Sequence, residues 1–110
     1  MDVSKQDRIQ RLFQSYHESL PARMAELDEL WAQLISSWDD EMAVSFDTIC
    51  HSLAGSALTF DCDDVGEIAK QIEIRFKPEL ENSKPIAEGL RTEIRALLNE
   101  LSSAILTVNS

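Results

Sequence analysis

Glycine and proline are scarce in this sequence, with three residues of each among 110. Most turns depend on these two residue types, so their scarcity predicts few loops and long regular elements. The two cysteines, Cys50 and Cys62, lack the C-x-x-C or histidine spacing of a zinc site. We therefore expect reduced thiols and no structural metal.

Basic residues are also few. The chain has ten basic and twenty acidic residues, which gives a formal net charge of −10. This balance argues against binding a nucleic-acid backbone or an anionic membrane surface. No apolar run approaches the roughly 20 residues that span a bilayer, and the first residues lack the apolar core of a signal peptide. We expect a cytoplasmic protein that binds neither nucleic acid nor membrane.

Apolar residues at helical spacing are what the sequence has in abundance. The chain length suits one domain, residues 1–110. Stripes with steps of three and four residues predict five helices, over about 5–17, 19–36, 40–60, 62–77 and 85–107. These helices are best buried as an all-α antiparallel four-helix bundle, with an additional short N-terminal helix laid across one end.

Three prolines and one serine set the predicted helix ends. Ser4 begins a capping box, and Pro21 suits the first turn of a second helix better than the interior of a continuing one. By the same argument Pro78 ends the fourth predicted helix and Pro85 opens the last.

One histidine lies off the apolar stripe of the third predicted helix. At about 100° per residue, His51 projects roughly 180° from Met42, on the face of the helix that is expected to be exposed to solvent. Gly55 follows one turn later on that face. A glycine inside a helix costs about 0.5–1 kcal/mol relative to alanine. Its place beside His51 therefore suggests that something approaches this face closely.

The run His51-x-x-x-Gly55-Ser56-Ala57, followed by an acidic break and a second helix with Glu73, resembles the histidine phosphotransfer (HPt) domain of phosphorelay and two-component signalling systems. The resemblance covers nearly the whole chain. It implies a helical bundle whose exposed histidine takes a phosphoryl group from a kinase or an aspartyl phosphate and passes it to a receiver domain's aspartate. Such a domain is a phosphoryl carrier and not an enzyme.

The resemblance also implies roles for individual residues. His51 is the expected phosphoacceptor, and Glu73, twenty-two residues later, is the expected acceptor that orients its imidazole. The family usually has a lysine three residues after the histidine, where this chain has Ala54. Lys70, one turn before Glu73, is our candidate for the missing phosphoryl contact. Ser56 is a second candidate donor, although it can equally serve as a small helix residue.

A docking surface is predicted around His51. Val44 and Leu58 lie seven residues to either side of it and share its face with Thr48, and Ala54 lies at the edge. The implied partner is a receiver domain or a sensor kinase. The resemblance implies that the receiver brings Mg²⁺, so we expect no cofactor in this chain. We expect a monomer, although an exposed apolar patch can also support a dimer.

Simpler interpretations remain open at this point. Val44 and Leu58 can instead pack against the N-terminal helix. His17 lacks any motif and is expected to be structural. Asp47 and His51 have the i, i+4 spacing of a metal pair, but no second pair completes a site. The alternative function is a non-catalytic helical adaptor that binds a receiver or kinase without phosphotransfer, and Ala54 is its best support.

Overall fold

The structure is a computed structural model that describes residues 3–110. Within that range the chain forms four α-helices and no strand: α1 (Val3–Ser36), α2 (Asp40–Thr59), α3 (Asp63–Asn82) and α4 (Glu88–Val108). The all-α bundle predicted from the sequence is confirmed. Across the described range, none of the helices is long and apolar enough to cross a membrane.

The prediction of a separate N-terminal helix was wrong, because α1 continues through Pro21. A proline inside a helix cannot donate to the carbonyl four residues before it, here that of His17. In the structure the side chain of Asn109 donates to this carbonyl at 2.9 Å. The end of the chain therefore replaces the missing backbone hydrogen bond, and one long helix replaces the two that were predicted.

Two further helix ends differ from the sequence prediction. α3 passes Pro78 and ends at Asn82, followed by Ser83 in the left-handed region with φ of 47°. The carbonyl left free by Pro78 belongs to Ile74, an exposed residue of the outer face, where water can bond it. Pro85 lies in the loop, and α4 begins at Glu88.

Different contacts hold the two ends of α2 in the bundle. At the α2 N-terminus the Asp39 carboxylate accepts from the Met42 amide and caps the helix. At the other end Tyr16 stacks on Phe60, with ring centroids 4.3 Å apart. The largest fully buried side chains between these ends are those of Trp31, Phe46, Phe76, Leu20, Leu27, Leu34, Ile72, Ile94, Leu98 and Leu101.

Small residues bring α2 and α3 close together. A Cβ placed on Gly66 would lie 3.2 Å from the Cβ of Ala57 and 3.6 Å from the carbonyl oxygen of Ala54, so a side chain at this crossing would require Ala57 to shift slightly. The two helices run antiparallel, and the close approach fixes their register. That register sets which residues of α3 lie beside His51.

Candidate functional site

The site is built on the hydrogen bond between His51 of α2 and Glu73 of α3. Nδ1 of His51 lies 2.7 Å from Oε2 of Glu73. The two side chains differ in exposure, with 76% of the His51 surface and 19% of the Glu73 surface open to solvent. The carboxylate is therefore held in the groove between the helices, while most of the imidazole projects outward.

This contact fixes the proton on one ring nitrogen. An ionised carboxylate only accepts hydrogen bonds, so Nδ1 of His51 must be the donor. In the neutral imidazole the other nitrogen, Nε2, then has a lone pair and no proton. Since the ring is mostly exposed, Nε2 is an accessible nucleophilic atom on the surface of the bundle.

Asp47 and Cys50 lie in the turn of α2 before His51. Burial raises the pKa of the Asp47 carboxyl, and the nearby charge of Glu73 raises it further, whereas Lys77 and His51 lower it. Burial also raises the pKa of the Cys50 thiol, with Asp47 and Glu73 adding to the effect. The thiol is fully buried and stays protonated, so Cys50 is not a competing nucleophile.

Gly55 is exposed and has open space around it. A Cβ built there would meet no atom within 4 Å outside its own helical turn. The fold therefore gives no packing reason for a glycine at this position, in contrast to Gly66, where a Cβ would lie 3.2 Å from the Cβ of Ala57. The open face beside His51 is consistent with close approach by another molecule.

Ser56 is engaged elsewhere. Its hydroxyl donates to the carbonyl of Ser52 at 2.8 Å, and its oxygen lies 2.8 Å from the Tyr16 hydroxyl. A hydroxyl carries one proton, so Tyr16 is the donor in the second contact. A phosphoryl contact by Ser56 would have to displace the bond to Ser52. No local sequence pattern indicates this contact of Tyr16, because its partner is forty residues away.

The antiparallel register places two lysines along α3 on either side of Glu73. Because Glu73 is paired with His51, moving three residues back on α3 brings Lys70 level with Ala54, the position where the family usually has a lysine. Moving four residues forward brings Lys77 level with Asp47, whose pKa its charge lowers. Lys77 was missed from the sequence, although its i, i+4 spacing from Glu73 was available as a signal.

The predicted docking residues lie on the outer face of α2. Val44 is 55% exposed and Leu58 is 61% exposed, so neither packs against the N-terminal part of α1. Thr48 is also exposed, whereas Ala54 is half-buried at the contact with α3. The alternative that the two apolar residues are covered within the fold is therefore wrong.

The other histidine is part of the bundle end. His17 lies half-buried with Nε2 3.1 Å from the carbonyl oxygen of Phe60. The Asp47 and His51 pair gains no further ligand, since the described residues contain no group of three or more histidine, cysteine or acidic side chains suited to a metal.

Comparison with known protein families found one that matches most of the chain. The family model of the Hpt domain matches residues 11–104. The chain therefore belongs to the Hpt domain family, whose members act as phosphocarrier modules in phosphorelay and two-component signalling. Searches of curated proteins and of solved structures each found no match.

Proposed function

We propose that this chain carries a phosphoryl group on Nε2 of His51, taken from a receiver aspartyl phosphate or a sensor kinase and passed to the aspartate of another receiver domain. The observation that carries the proposal is the 2.7 Å contact between Nδ1 and Glu73 on a ring that is 76% exposed. This arrangement leaves the nucleophilic nitrogen outward and the proton inward.

The hydrogen bond to Glu73 allows transfer without moving a proton. The lone pair of Nε2 forms the bond to phosphorus, and the electrons of the breaking P–O bond return to the donor aspartate as its carboxylate. The ring keeps its proton on Nδ1 and becomes a cation, which the Glu73 carboxylate stabilises through a charge-assisted hydrogen bond. Delivery to the next aspartate reverses these steps, and Nε2 leaves as the neutral imidazole.

Lys70 is the proposed counter-charge for the phosphoryl oxygens. Its side chain is exposed, and its place level with Ala54 puts a lysine on α3 at the height where the family usually has one on α2. A phosphoryl group beside Asp47 and Glu73 is repelled by both carboxylates. A lysine on the outer side of α3 offsets this repulsion while leaving the face of α2 open.

The receiver is proposed to dock on the outer face of α2. Val44, Thr48 and Leu58 surround His51 there, and the absence of a side chain at Gly55 lets the partner backbone come close. The receiver contributes the aspartate and the Mg²⁺, whereas this chain contributes the oriented imidazole. The chain is thus a carrier whose chemistry is completed by its partner. A monomer is sufficient for this role.

Phosphotransfer profiling tests the proposal. Purified receiver domains and kinases from the same cell, charged with radiolabelled phosphate, are each mixed with the wild-type chain, with His51→Gln and with His17→Gln. We expect acid-labile, alkali-stable label on wild type and on His17→Gln, and none on His51→Gln. No label from any donor, with the chain folded, contradicts the carrier function, and binding of a receiver without transfer would indicate an adaptor.

A further inference from the structure

The N-terminal turns of α1 project beyond the end of the bundle. Tyr16 is bonded to Ser56 and Phe13 contacts Phe60, so α1 passes the end of α2, at Thr59, near residue 13. Residues 4–12, here called the arm, therefore continue for about 13 Å at roughly 1.5 Å per residue. Since α1 is continuous, the arm extends the same helix that packs in the core.

The arm differs in charge from the rest of the molecule. Residues 4–12 carry Lys5, Arg8 and Arg11 against the single carboxylate of Asp7, a net charge of +2. Residues 13–110 carry eighteen acidic and seven basic side chains, a net charge of −11. The chain is thus strongly polarised, with its positive end on the overhanging helix.

One stripe of the arm combines basic and apolar side chains. Leu12 lies one turn before Tyr16, on the side of α1 that faces α2, but α2 has ended at this height and Leu12 is 61% exposed. Arg8 lies one turn before Leu12, and Lys5 lies nearly one turn before Arg8, so both basic residues lie on the same stripe toward the N-terminus. In the structure Nε of Arg8 donates to the local carbonyl of Ser4.

This stripe lies within reach of a partner centred on His51. By the register of α1 and α2, Leu12 is about 15 Å and Arg8 about 20 Å along the bundle from His51. A globular domain of about 100 residues has a radius of gyration of about 13 Å, so its edge extends somewhat further than that from its centre. A receiver docked over His51 on the outer face of α2 therefore meets the arm.

We propose that the arm is a second docking element for the receiver domain, an inference that rests on the proposed function. A receiver that binds Mg²⁺ through carboxylates presents an acidic pocket to His51. The body of this chain, at −11, repels such a surface. The basic arm supplies the complementary charge and orients the encounter, and Leu12 supplies apolar contact once the two domains are docked.

Matched substitutions test the arm separately from the phosphoacceptor. Arg8→Glu changes the charge on the arm, and Lys84→Glu makes the same change in the exposed α3–α4 loop. Leu12→Ser removes the arm's apolar contact, and Leu106→Ser does so at a residue of α4 that is 68% exposed. Each variant is mixed with a receiver that phosphorylates the wild-type chain, and the rate of transfer is measured at subsaturating concentration over a range of salt.

We expect Arg8→Glu to slow transfer about threefold to tenfold at low ionic strength, with the difference shrinking as salt screens the charges. Leu12→Ser should weaken receiver binding at all salt concentrations, and the two control variants should behave as wild type. Equal rates for Arg8→Glu and Lys84→Glu at every salt concentration would overturn the inference while leaving the carrier function intact.

Other occupants of the arm give different results. A wild-type dimer in sedimentation equilibrium that Leu12→Ser dissociates and Leu106→Ser does not would assign the arm to a second copy and overturn the inference. Wild-type binding to vesicles of phosphatidylcholine and phosphatidylglycerol that is lost in Arg8→Glu would overturn it in favour of a membrane. If no receiver phosphorylates the wild type, the proposed function fails, and receiver binding by wild type and Arg8→Glu decides the arm on its own.

Discussion

Glu73 Oε2 lies 2.7 Å from Nδ1 of His51, a contact made across two antiparallel helices by residues twenty-two positions apart. Its geometry follows from the packing beneath it. Gly66 and Ala57 let α2 and α3 approach closely, which fixes the register in which Glu73 faces His51 and not its neighbours. The orientation of the imidazole is therefore a consequence of how two helices pack.

Replacing Glu73 should change the orientation and tautomer of the His51 imidazole more than it changes the fold. Glu73→Ala removes a charged acceptor worth about 1.5–3 kcal/mol, so we expect phosphoryl transfer to slow about tenfold to a hundredfold. Glu73→Gln keeps an acceptor without the charge, so its transfer rate should lie between those of wild type and Glu73→Ala. Nitrogen-15 NMR of the ring should show the proton on Nδ1 in wild type and a mixture of tautomers in Glu73→Ala. An unchanged tautomer in Glu73→Ala would show that the carboxylate does not set it.

Gly55→Ala separates stability from function. No atom outside its own turn blocks a Cβ there, so alanine should raise the free energy of unfolding by about 0.5–1 kcal/mol in urea denaturation. We expect the same variant to slow transfer, because the added methyl faces the docked partner. Gly89→Ala, also unobstructed but on α4, is the control that should change stability alone. A transfer rate for Gly55→Ala equal to that of wild type would mean that the partner does not come close at this position.

Lys70→Ala should weaken the stabilisation of the phosphoryl group. Exposed charge interactions contribute up to about 1 kcal/mol, so we expect a loss of about twofold to fivefold in the rates of phosphoryl gain and loss, larger at low salt. Lys84→Ala, in the α3–α4 loop, is the matched control. Identical kinetics for the two variants would remove Lys70 from the site.

Asn109 replaces the backbone hydrogen bond that Pro21 removes from α1. Asn109→Ala leaves the His17 carbonyl without a partner and should cost about 1 kcal/mol of stability. In a Pro21→Ala background residue 21 regains its backbone donor, so the same change should cost less. A double-mutant cycle measured by urea unfolding checks this coupling. Strict additivity would mean that Asn109 does not compensate for the proline.

The sequence predicted the bundle well because its helices carry regular apolar stripes. Their spacing alone defines which faces are buried, as at Phe46 and Ile72. The ends of helices were harder to predict, since Pro21 and Pro78 are tolerated for reasons that lie in tertiary contacts or solvent exposure. A residue ninety-two positions from His17 repairs one of these breaks, and no local pattern signals it.

Parts of the site show the same division. The sequence singles out Gly55 because a glycine is unfavourable inside a helix. The open space around it is a local property that does not depend on helix register. The engagement of Ser56 by Tyr16 and the place of Lys77 level with Asp47 depend on helix register, which small residues at the α2–α3 crossing determine. Periodicity identifies faces, but the register between two faces comes from packing.

The central claim is that Nε2 of His51 bears the phosphoryl group while Nδ1 keeps its proton toward Glu73. The most direct test is phosphorus-31 and nitrogen-15 NMR of the chain after phosphorylation by a receiver. We predict coupling of phosphorus to Nε2 of His51, with Nδ1 protonated and hydrogen-bonded. Phosphorus coupled to Nδ1, or bound to any other residue, would contradict the account.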